Sequence, residues 1–208
     1  MAAPQRIHRP VRGRVTSPDV DPIRRYLRLA RLALAARRGP RLDLHDVGVT
    51  RERVWLTDID ELRHMNNGVY LGLLDYSRMD LLLRSGTWPA MKAAGVYPVV
   101  SNQTIAYRRS LELGERFTIE SRIVGYDERA VYLEQRFVRG GEVTARAYVA
   151  GRFLRRTGGV VGTAELGELI GVDVASRPIP AWLTEWAAAT RLPGTRTPAP
   201  SVWDEPSG

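Results

Sequence analysis

Residues 58–84 read DIDELRHMNNGVYLGLLDYSRMDLLLR, a polar segment followed by a long apolar one. It opens as a polar turn, and five side chains within its first ten residues are candidates for chemistry. These side chains are Asp58, Asp60, His64, Asn66 and Asn67. The rest is apolar around most of a helix of 3.6-residue period, which predicts a long helix over residues 69–84 that is buried on several sides. Gly86 and Pro89 follow and indicate where this helix ends.

The apolar pattern changes to a period of two outside the helix. One strand is predicted before it and four strands after it. The predicted strands are 51–56, 99–107, 117–124, 131–138 and 143–154. Turn segments at 125–129 and 139–142 join neighbouring strands as antiparallel hairpins. A strand, a buried helix and four strands in series predict an α+β fold, with the helix on one face of an antiparallel sheet.

The composition is that of a globular domain with extensions, since 44% of the 208 residues are hydrophobic and 26% are charged. Cysteine is absent, which excludes disulfides, thiolate metal sites and cysteine nucleophiles. Three separated histidines argue against a zinc site, so no metal is expected. We divide the chain into a basic extension (1–45), a main domain (46–156) and a carboxyl-terminal extension (157–208). In the last part, short helices are predicted near 164–170 and 181–191.

The net charge of +8 belongs to the amino-terminal extension. Residues 1–41 carry eleven arginines and two aspartates, whereas the other 167 residues carry 20 basic and 21 acidic side chains. The main domain therefore has no basic excess, and no nucleic-acid-binding motif is present, so nucleic acid is not an expected partner. No secretory signal is visible, and we expect a cytoplasmic protein.

Residues 23–38 predict an amphipathic helix that is too rich in arginine to span a bilayer. Its apolar face holds Ile23, Leu27, Ala30 and Leu34, and its basic face holds Arg24, Arg28 and Arg31. Two interpretations remain open. The helix docks on the main domain with its arginines in water, which we favour, or it makes peripheral contact with the inner membrane surface.

The polar turn before the long helix is the best candidate for chemistry. No nucleophile elbow, Walker A loop, H-E-x-x-H motif or dinucleotide fingerprint is present. One interpretation is structural, because Asp and Asn are common turn and cap residues. The other is catalytic. A helix start offers free N–H groups to a developing oxyanion, and a nearby carboxylate beside apolar surface can act as general base or nucleophile. These two groups suffice for hydrolysis of an ester or thioester.

Residues 58–70 resemble the D-x-D-x-x-G-H-[VM]-N-N-x-x-Y signature of hotdog-fold acyl-CoA thioesterases, the class of 4-hydroxybenzoyl-CoA thioesterase and its relatives. Residues 107–115, YRRSLELGE, are similar to the Y-x-R-P-L-x-x-G-[DE] segment of that family. The order of elements over residues 48–155 is also that of the hotdog fold, an antiparallel sheet wrapped around a long central helix. The resemblance implies a homodimer or tetramer that hydrolyses an acyl-CoA in a cleft between subunits. Coenzyme A would be part of the substrate, and no cofactor is implied.

The resemblance also implies roles for individual residues. The catalytic positions are Asp60, Asn67 and His64. The substrate-binding positions are Asn66, Tyr70, Arg108 and Arg109. Asp60 matches the family's carboxylate, and Asn67 matches the helix start whose N–H polarises the thioester carbonyl. The two arginines fall where they would meet CoA phosphates, or else they form a solvated strand end. Asp58 matches a structural aspartate.

Two residues depart from the family pattern. Arg63 replaces a glycine and Ser110 replaces a frequent proline. Because arginine tolerates a positive φ poorly, we expect the loop around Arg63 to follow a different path. The rival function is a non-hydrolytic acyl-CoA-binding or membrane-associated module. A set of apolar side chains either lines an acyl tunnel or, as we favour, forms core. This set is Met79, Leu82, Leu83 and Trp88.

Overall fold

The computed structural model describes residues 22–201. Residues 1–21 and 202–208 lie outside the described part, as do the side chains of Pro22, Ile23, Arg24, Arg25, Leu29, Leu32, Ala33 and Arg37. The helices are α1 (Pro22–Arg38), α2 (Asn67–Arg84), α3 (Thr87–Ala93), α4 (Thr163–Ile170) and α5 (Ala181–Ala189). The strands are β1 (Gly48–Arg53), β2 (Val96–Tyr107), β3 (Arg116–Tyr126), β4 (Val131–Arg139), β5 (Glu142–Arg155) and β6 (Val160–Val161).

The strands form one antiparallel sheet in the order β1-β3-β4-β5-β2, and β6 pairs with the end of β5. The sheet packs against α2, whose apolar side chains form a common core with residues of the strands. The core side chains shared by helix and sheet include Tyr70, Leu73, Leu74, Phe117, Ile119 and Phe137. The predicted α+β architecture, an antiparallel sheet around a long helix, is therefore confirmed.

Helix α2 buries one face completely. The buried residues are Tyr70, Leu73, Leu74, Ser77, Asp80 and Leu81, which recur at helical spacing. Leu71, Leu82 and Leu83 are only half-buried. The other sides of α2 are partly covered, because α1 and α3 also pack against it and Asp75 is the one exposed residue of positions 69–84. The predicted burial on several sides is therefore partial rather than complete.

A buried polar network fixes α2 on the sheet. The hydroxyl oxygens of Ser77 and Ser121 lie 2.8 Å apart. Gln135 Nε2 donates to Ser121 Oγ at 2.7 Å and to the Leu74 carbonyl at 3.1 Å. Because unpaired polar groups are costly in a core, these bonds disfavour any other register of helix against sheet.

The structure contains elements that the sequence analysis did not predict. Helix α3 follows α2 directly, because Gly86 takes a φ of 77° and turns the chain, and Pro89 sits in the first turn, where a missing N–H is tolerated. Strand β6 pairs back on β5 through a turn at Gly158 and Gly159, both with a φ of 97°. Strand β1 lies three residues earlier than predicted, because the chain after Arg53 leaves the sheet to form the polar turn.

Helix α1 docks on the main domain, but by a different face from the one expected. Arg28 Nη2 donates to both carboxylate oxygens of Asp58, at 3.2 and 3.0 Å. Leu27 and Leu34 are instead 60% and 47% exposed. The expectation that the arginines of a docked helix stay in water is wrong for Arg28. The reason is that Asp58 is a buried carboxylate that needs a cationic partner. Pairing it with Arg28 stabilises the docked helix more than burying Leu27 on this surface would. No helix in the described part is long and apolar enough to cross a membrane.

The carboxyl-terminal extension covers the outer face of the sheet. Leu183 and Ala187 of α5 pack on Tyr132 and Ala150 of the strands. Both faces of the middle of the sheet are therefore covered, α2 on one side and α5 on the other.

The two edges of the sheet differ. Strand β1 lies near α1, and a polar groove lined by residues of α1, β1 and α2 separates them. Strand β2 is twelve residues long, and its outer edge is paired with no other strand of the described chain. Its Val100 and Tyr107 are 43% and 44% exposed. A long exposed edge of this kind is a template for pairing with another strand.

Candidate active site

The two motif segments meet in a polar pocket of about 280 Å³ beside the first residues of α2. We call it the polar pocket. The lining residues are Asp60, Leu62, His64, Met65, Asn67, Tyr70, Tyr107, Arg108, Arg109 and Ser110. Six of the seven site residues predicted from the sequence therefore lie around one hollow. The exception is Asn66, which caps the helix.

Backbone hydrogen bonds hold the two segments together. The Met65 N–H donates to the Leu111 carbonyl at 2.8 Å, and the Gly114 N–H donates to the Val54 carbonyl at 2.9 Å. Gly114 has a φ of 82°, which favours glycine at this turn. The second segment therefore supports the loop that carries Asp60.

Asp60 is half-buried, and its two carboxylate oxygens differ in their contacts. Oδ1 accepts hydrogen bonds from the N–H groups of Leu62 at 2.9 Å and His64 at 3.4 Å. Oδ2 accepts none from the described residues. The loop thus orients the carboxylate through one oxygen and leaves the other available to a ligand of the pocket.

The start of α2 provides a free hydrogen-bond donor. The Asn66 side chain accepts from the Gly68 N–H at 2.8 Å, and the Asn66 carbonyl accepts from the Val69 N–H at 2.9 Å. The Asn67 N–H, which lies between them in sequence, has no acceptor among residues 22–201. Since Asn67 lines the polar pocket, this donor and the positive end of the helix dipole are available to an anion there.

Arg63 adopts a φ of 65° and is the only non-glycine residue in the described chain with a positive φ. The expectation that an arginine would avoid this conformation is therefore wrong. The loop is tied on both sides, because the Arg63 N–H donates to the Asp60 carbonyl at 3.0 Å and the Asp60 N–H donates to the His64 carbonyl at 2.9 Å. These bonds impose the left-handed conformation at a cost of about 1 kcal/mol.

Relief of this strain gives a stability prediction. We expect Arg63→Gly to match or exceed the wild-type stability, by up to about 1 kcal/mol, because glycine adopts a positive φ without strain. Arg63→Val should destabilise the protein by about 1–2 kcal/mol, because a β-branched side chain tolerates this region worst. Urea unfolding of the two variants checks the ranking. Equal midpoints for Arg63→Gly and Arg63→Val would contradict it.

Two tyrosines form the apolar wall of the polar pocket. Tyr70 is buried, and its ring meets that of Tyr107 edge to face with the centroids 5.1 Å apart. Burial raises the pKa of Tyr70 above its usual value, although a hydrogen bond with the Leu111 backbone opposes the shift. Tyr107 was not singled out in the sequence analysis, although it is the first residue of the second motif. Its fixed position in that motif is the signal that could have identified it.

Arg108 and Arg109 differ in what they contact. Arg108 Nη1 pairs with Glu142 Oε2 at 3.0 Å and also donates to the Val143 carbonyl at 3.2 Å. The Arg109 side chain is exposed and makes no ion pair with the described residues. Of the two, Arg109 is the cation that is free to meet a ligand.

The contacts of Asp58 agree with the structural role that the family resemblance implies. Its side chain is 1% exposed and accepts from the Trp55 N–H at 3.0 Å in addition to Arg28. Its carbonyl accepts from the Asn66 N–H at 2.8 Å. Asp58 therefore joins the start of the loop to the cap of α2.

A second cavity, of about 520 Å³, lies beside the middle and carboxyl-terminal part of α2. We call it the apolar cavity. Met79 and Leu82 line it, as do Pro98, Val99 and Val100 of β2. Leu83 and Trp88, the other two side chains predicted to form core or an acyl tunnel, are not among its lining residues.

Comparisons with known proteins place this geometry in a family. The model of the thioesterase-like superfamily matches residues 54–187, which include both motif segments, the sheet from β2 onward and most of α5. Protein THEM6 of Danio rerio is 48% identical over 90 residues, which are 43% of this chain and 45% of that protein. The match thus spans less than half the length of this curated relative.

Solved structures share the fold. The probable thioesterase YbaW of Escherichia coli is 28% identical, with a TM-score of 0.55 over 59% of this chain and 95% of that one. The protein SAV2348 of Staphylococcus aureus, solved in complex with CoA, is 16% identical, with a TM-score of 0.55 over 69% of this chain and 93% of that one. The fold is therefore the hotdog fold. The chain, whose two motif segments lie within the matched residues, belongs to the thioesterase-like superfamily.

Proposed function

We propose that the protein is an acyl-CoA thioesterase that hydrolyses its substrate in the polar pocket. One observation carries the proposal. Asp60, with one carboxylate oxygen oriented by the loop and the other available, lines the same small pocket as the free N–H of Asn67. This is the pair of groups that thioester hydrolysis requires, a base or nucleophile beside a donor for the oxyanion.

The mechanism divides the work between these two groups. The Asn67 N–H and the positive end of α2 polarise the thioester carbonyl and stabilise the negative charge that develops on its oxygen. Asp60 Oδ2 either removes a proton from the attacking water, so that the free acid forms directly, or attacks the carbonyl carbon itself. The CoA thiolate leaves in both cases, and in the second case water then hydrolyses the acyl–Asp60 anhydride to the free acid and the regenerated carboxylate. His64 and Tyr70 border this site and restrict how the thioester lies in it.

The basic rim of the polar pocket suits the other end of the substrate. Arg109 is exposed and unpaired within residues 22–201, and it lies beside the polar pocket together with Arg108. Guanidinium groups bind phosphate strongly through charge-assisted hydrogen bonds. We assign Arg109 to the phosphates of CoA, and Arg108 would join it only on release of its pair with Glu142. The CoA complex of SAV2348, which shares the fold, supports a CoA ligand for this architecture.

The functional unit in this proposal is a homodimer, alone or within a tetramer, paired through the open edge of β2. Homodimers with two-fold symmetry are the commonest soluble oligomers. When β2 of one copy pairs antiparallel with β2 of the other, the carboxyl end of each strand lies beside the amino-terminal half of its partner. Tyr107 of one polar pocket would then approach Pro98, Val99 and Val100 of the second copy, which line that copy's apolar cavity.

This arrangement assigns the apolar cavity to the acyl group. The thioester would lie in the polar pocket of one subunit, and an aliphatic acyl chain would extend into the apolar cavity of the other. About 0.8 kcal/mol is gained for each buried CH₂ group, so the cavity favours longer chains over acetyl. The test is a panel of acyl-CoAs from acetyl to palmitoyl, with release of CoA followed by a thiol reagent. Catalytic release that increases with chain length supports the proposal, and absence of release across the panel rejects it.

A bulky residue in the apolar cavity should change chain-length preference. Leu82 lines the cavity and the neighbouring Leu83 does not, although both are half-buried on α2. If Leu82→Trp excludes three CH₂ groups, kcat/KM for the longest good substrate falls by about 50-fold, whereas that for short acyl-CoAs changes little. Leu83→Trp is the matched control. An equal loss for short and long substrates, or an equal effect of both variants, would contradict the assignment.

We propose peripheral membrane association as a second function, because apolar side chains are exposed on α1. Tyr26, Leu27 and Leu34 are exposed on α1, on the same helix as the exposed Arg31 and Arg38. Apolar side chains beside arginines favour peripheral binding to an anionic bilayer, here the inner surface that faces the cytoplasm. Sedimentation with vesicles that contain phosphatidylserine tests this. We expect binding that Leu27→Ser/Leu34→Ser weakens, and binding unchanged in that variant would reject the surface.

A further inference from the structure

We infer that Arg28 of the amino-terminal helix is a positioning residue for the loop of residues 58–66, which carries Asp60. The docking of α1 would then determine the turnover rate of the polar pocket. The observation is the contact between Arg28 and Asp58, residues 30 positions apart in sequence. Arg28 lies outside the residues that match the superfamily model, so this contact couples an extension of the chain to the family's loop. The catalytic part of the inference rests on the proposed function.

The contact is buried and charged. The Asp58 side chain is 1% exposed and that of Arg28 is 14% exposed, and Nη2 lies 3.0 Å from Oδ2. A hydrogen-bonded ion pair removed from solvent has a defined geometry and is strongly disturbed when one partner is lost. Arg28 therefore differs from Arg31, Arg38 and Arg41, which are exposed.

Asp58 transmits the contact to the catalytic residues. Its side chain accepts from the Trp55 N–H at 3.0 Å, its N–H donates to the Trp55 carbonyl at 2.8 Å, and its carbonyl accepts from the Asn66 N–H at 2.8 Å. Asp60 follows two residues later, and Asn66 is the cap whose next residue, Asn67, provides the free N–H. A shift of Asp58 would therefore move both ends of the loop that aligns carboxylate and donor.

Misalignment of this kind lowers turnover more than it lowers affinity. Displacement of a catalytic group by about 1 Å can reduce the rate by about 100-fold. In the proposed function the CoA phosphates contact Arg109, which lies on the other segment. The inference therefore predicts a fall in kcat, expressed per folded chain, with little change in KM. Circular dichroism gives the folded fraction of each variant, because partial unfolding also lowers the apparent kcat at constant KM.

The test compares three single variants of the full chain. Arg28→Gln removes the charge, Arg28→Lys keeps it, and Arg31→Gln removes an exposed arginine from the same helix. We expect Arg28→Gln to lower kcat by about 10- to 100-fold with KM nearly unchanged, Arg28→Lys to recover part of the loss, and Arg31→Gln to resemble wild type. Hydrogen exchange provides a second readout that does not need activity. Amides of residues 55–66 should exchange at least about 10-fold faster in Arg28→Gln than in Arg31→Gln.

The outcomes separate the inference from the proposed function. If the wild-type protein frees no CoA from any acyl-CoA, the proposed function fails, and the exchange rates of residues 55–66 alone decide whether α1 controls the loop. If the wild-type protein is active and Arg28→Gln has the kcat of Arg31→Gln, the inference is overturned even where exchange is faster. Equal exchange in the two variants also overturns it.

Discussion

Asp60→Asn is expected to lower kcat for acyl-CoA hydrolysis by about 10²- to 10⁴-fold, the usual contribution of a general base. An amide cannot accept a proton from water and is no nucleophile at neutral pH. The loop should survive the change, because the amide oxygen of asparagine can still accept from the Leu62 N–H that now bonds to Oδ1. Affinity for the substrate should therefore remain close to that of the wild type.

The matched control for this variant is Glu61→Gln. Glu61 is the next residue of the same loop, it is exposed, and it is not among the residues that line the polar pocket. Loss of its charge changes the local field but not the reacting groups, so turnover should stay near that of the wild type. If Asp60→Asn and Glu61→Gln show the same kcat, the assignment of Asp60 is wrong.

The second large effect is expected at the edge of the sheet. The Arg108 N–H donates to the Thr144 carbonyl at 2.8 Å, and N–H directions alternate along an antiparallel strand. The N–H of Gln103 therefore points away from β5, toward the proposed second copy. Gln103→Pro removes that donor without removing a bond to β5. We expect a shift from twice the chain mass to the chain mass, with turnover at least about 10-fold lower because each cleft needs both subunits.

Gln103→Ala separates pairing from side-chain effects, because it keeps the N–H and removes only an exposed side chain. It should remain dimeric and active. Light scattering with size exclusion measures the mass, and circular dichroism verifies that the proline variant is folded. A folded Gln103→Pro protein that is monomeric and fully active would show that the cleft does not need a second copy.

Much of the fold could be predicted because local patterns and tertiary packing agree. The period of two predicted the strands β3, β4 and β5, and the apolar run predicted the helix α2. The polar pocket was predicted for a different reason, since the spacing of Asp60, His64 and Asn67 is a family motif. The motif also places Asn66 as the cap of α2, which leaves the Asn67 N–H free at the start of the helix.

The parts that were missed depend on contacts between distant residues. Nothing in the sequence around Arg28 distinguishes it from Arg31, because its role depends on a buried carboxylate 30 residues away. The positive φ of Arg63 is imposed by hydrogen bonds of the neighbouring loop residues rather than by its own preference. Tyr107 lines the polar pocket because β2 runs to its full length and ends beside α2. Local propensity could not identify these three positions, although the second motif, which begins at Tyr107, could have identified that one.

The most direct test of the proposed chemistry measures binding and cleavage of one long-chain acyl-CoA in parallel, for the wild-type protein and for Asp60→Asn. We expect the wild type to free many equivalents of CoA per chain, and Asp60→Asn to bind the same acyl-CoA with similar affinity while it frees almost none. Saturable binding by the wild-type protein with no free CoA would contradict the account and identify a non-hydrolytic binding module instead.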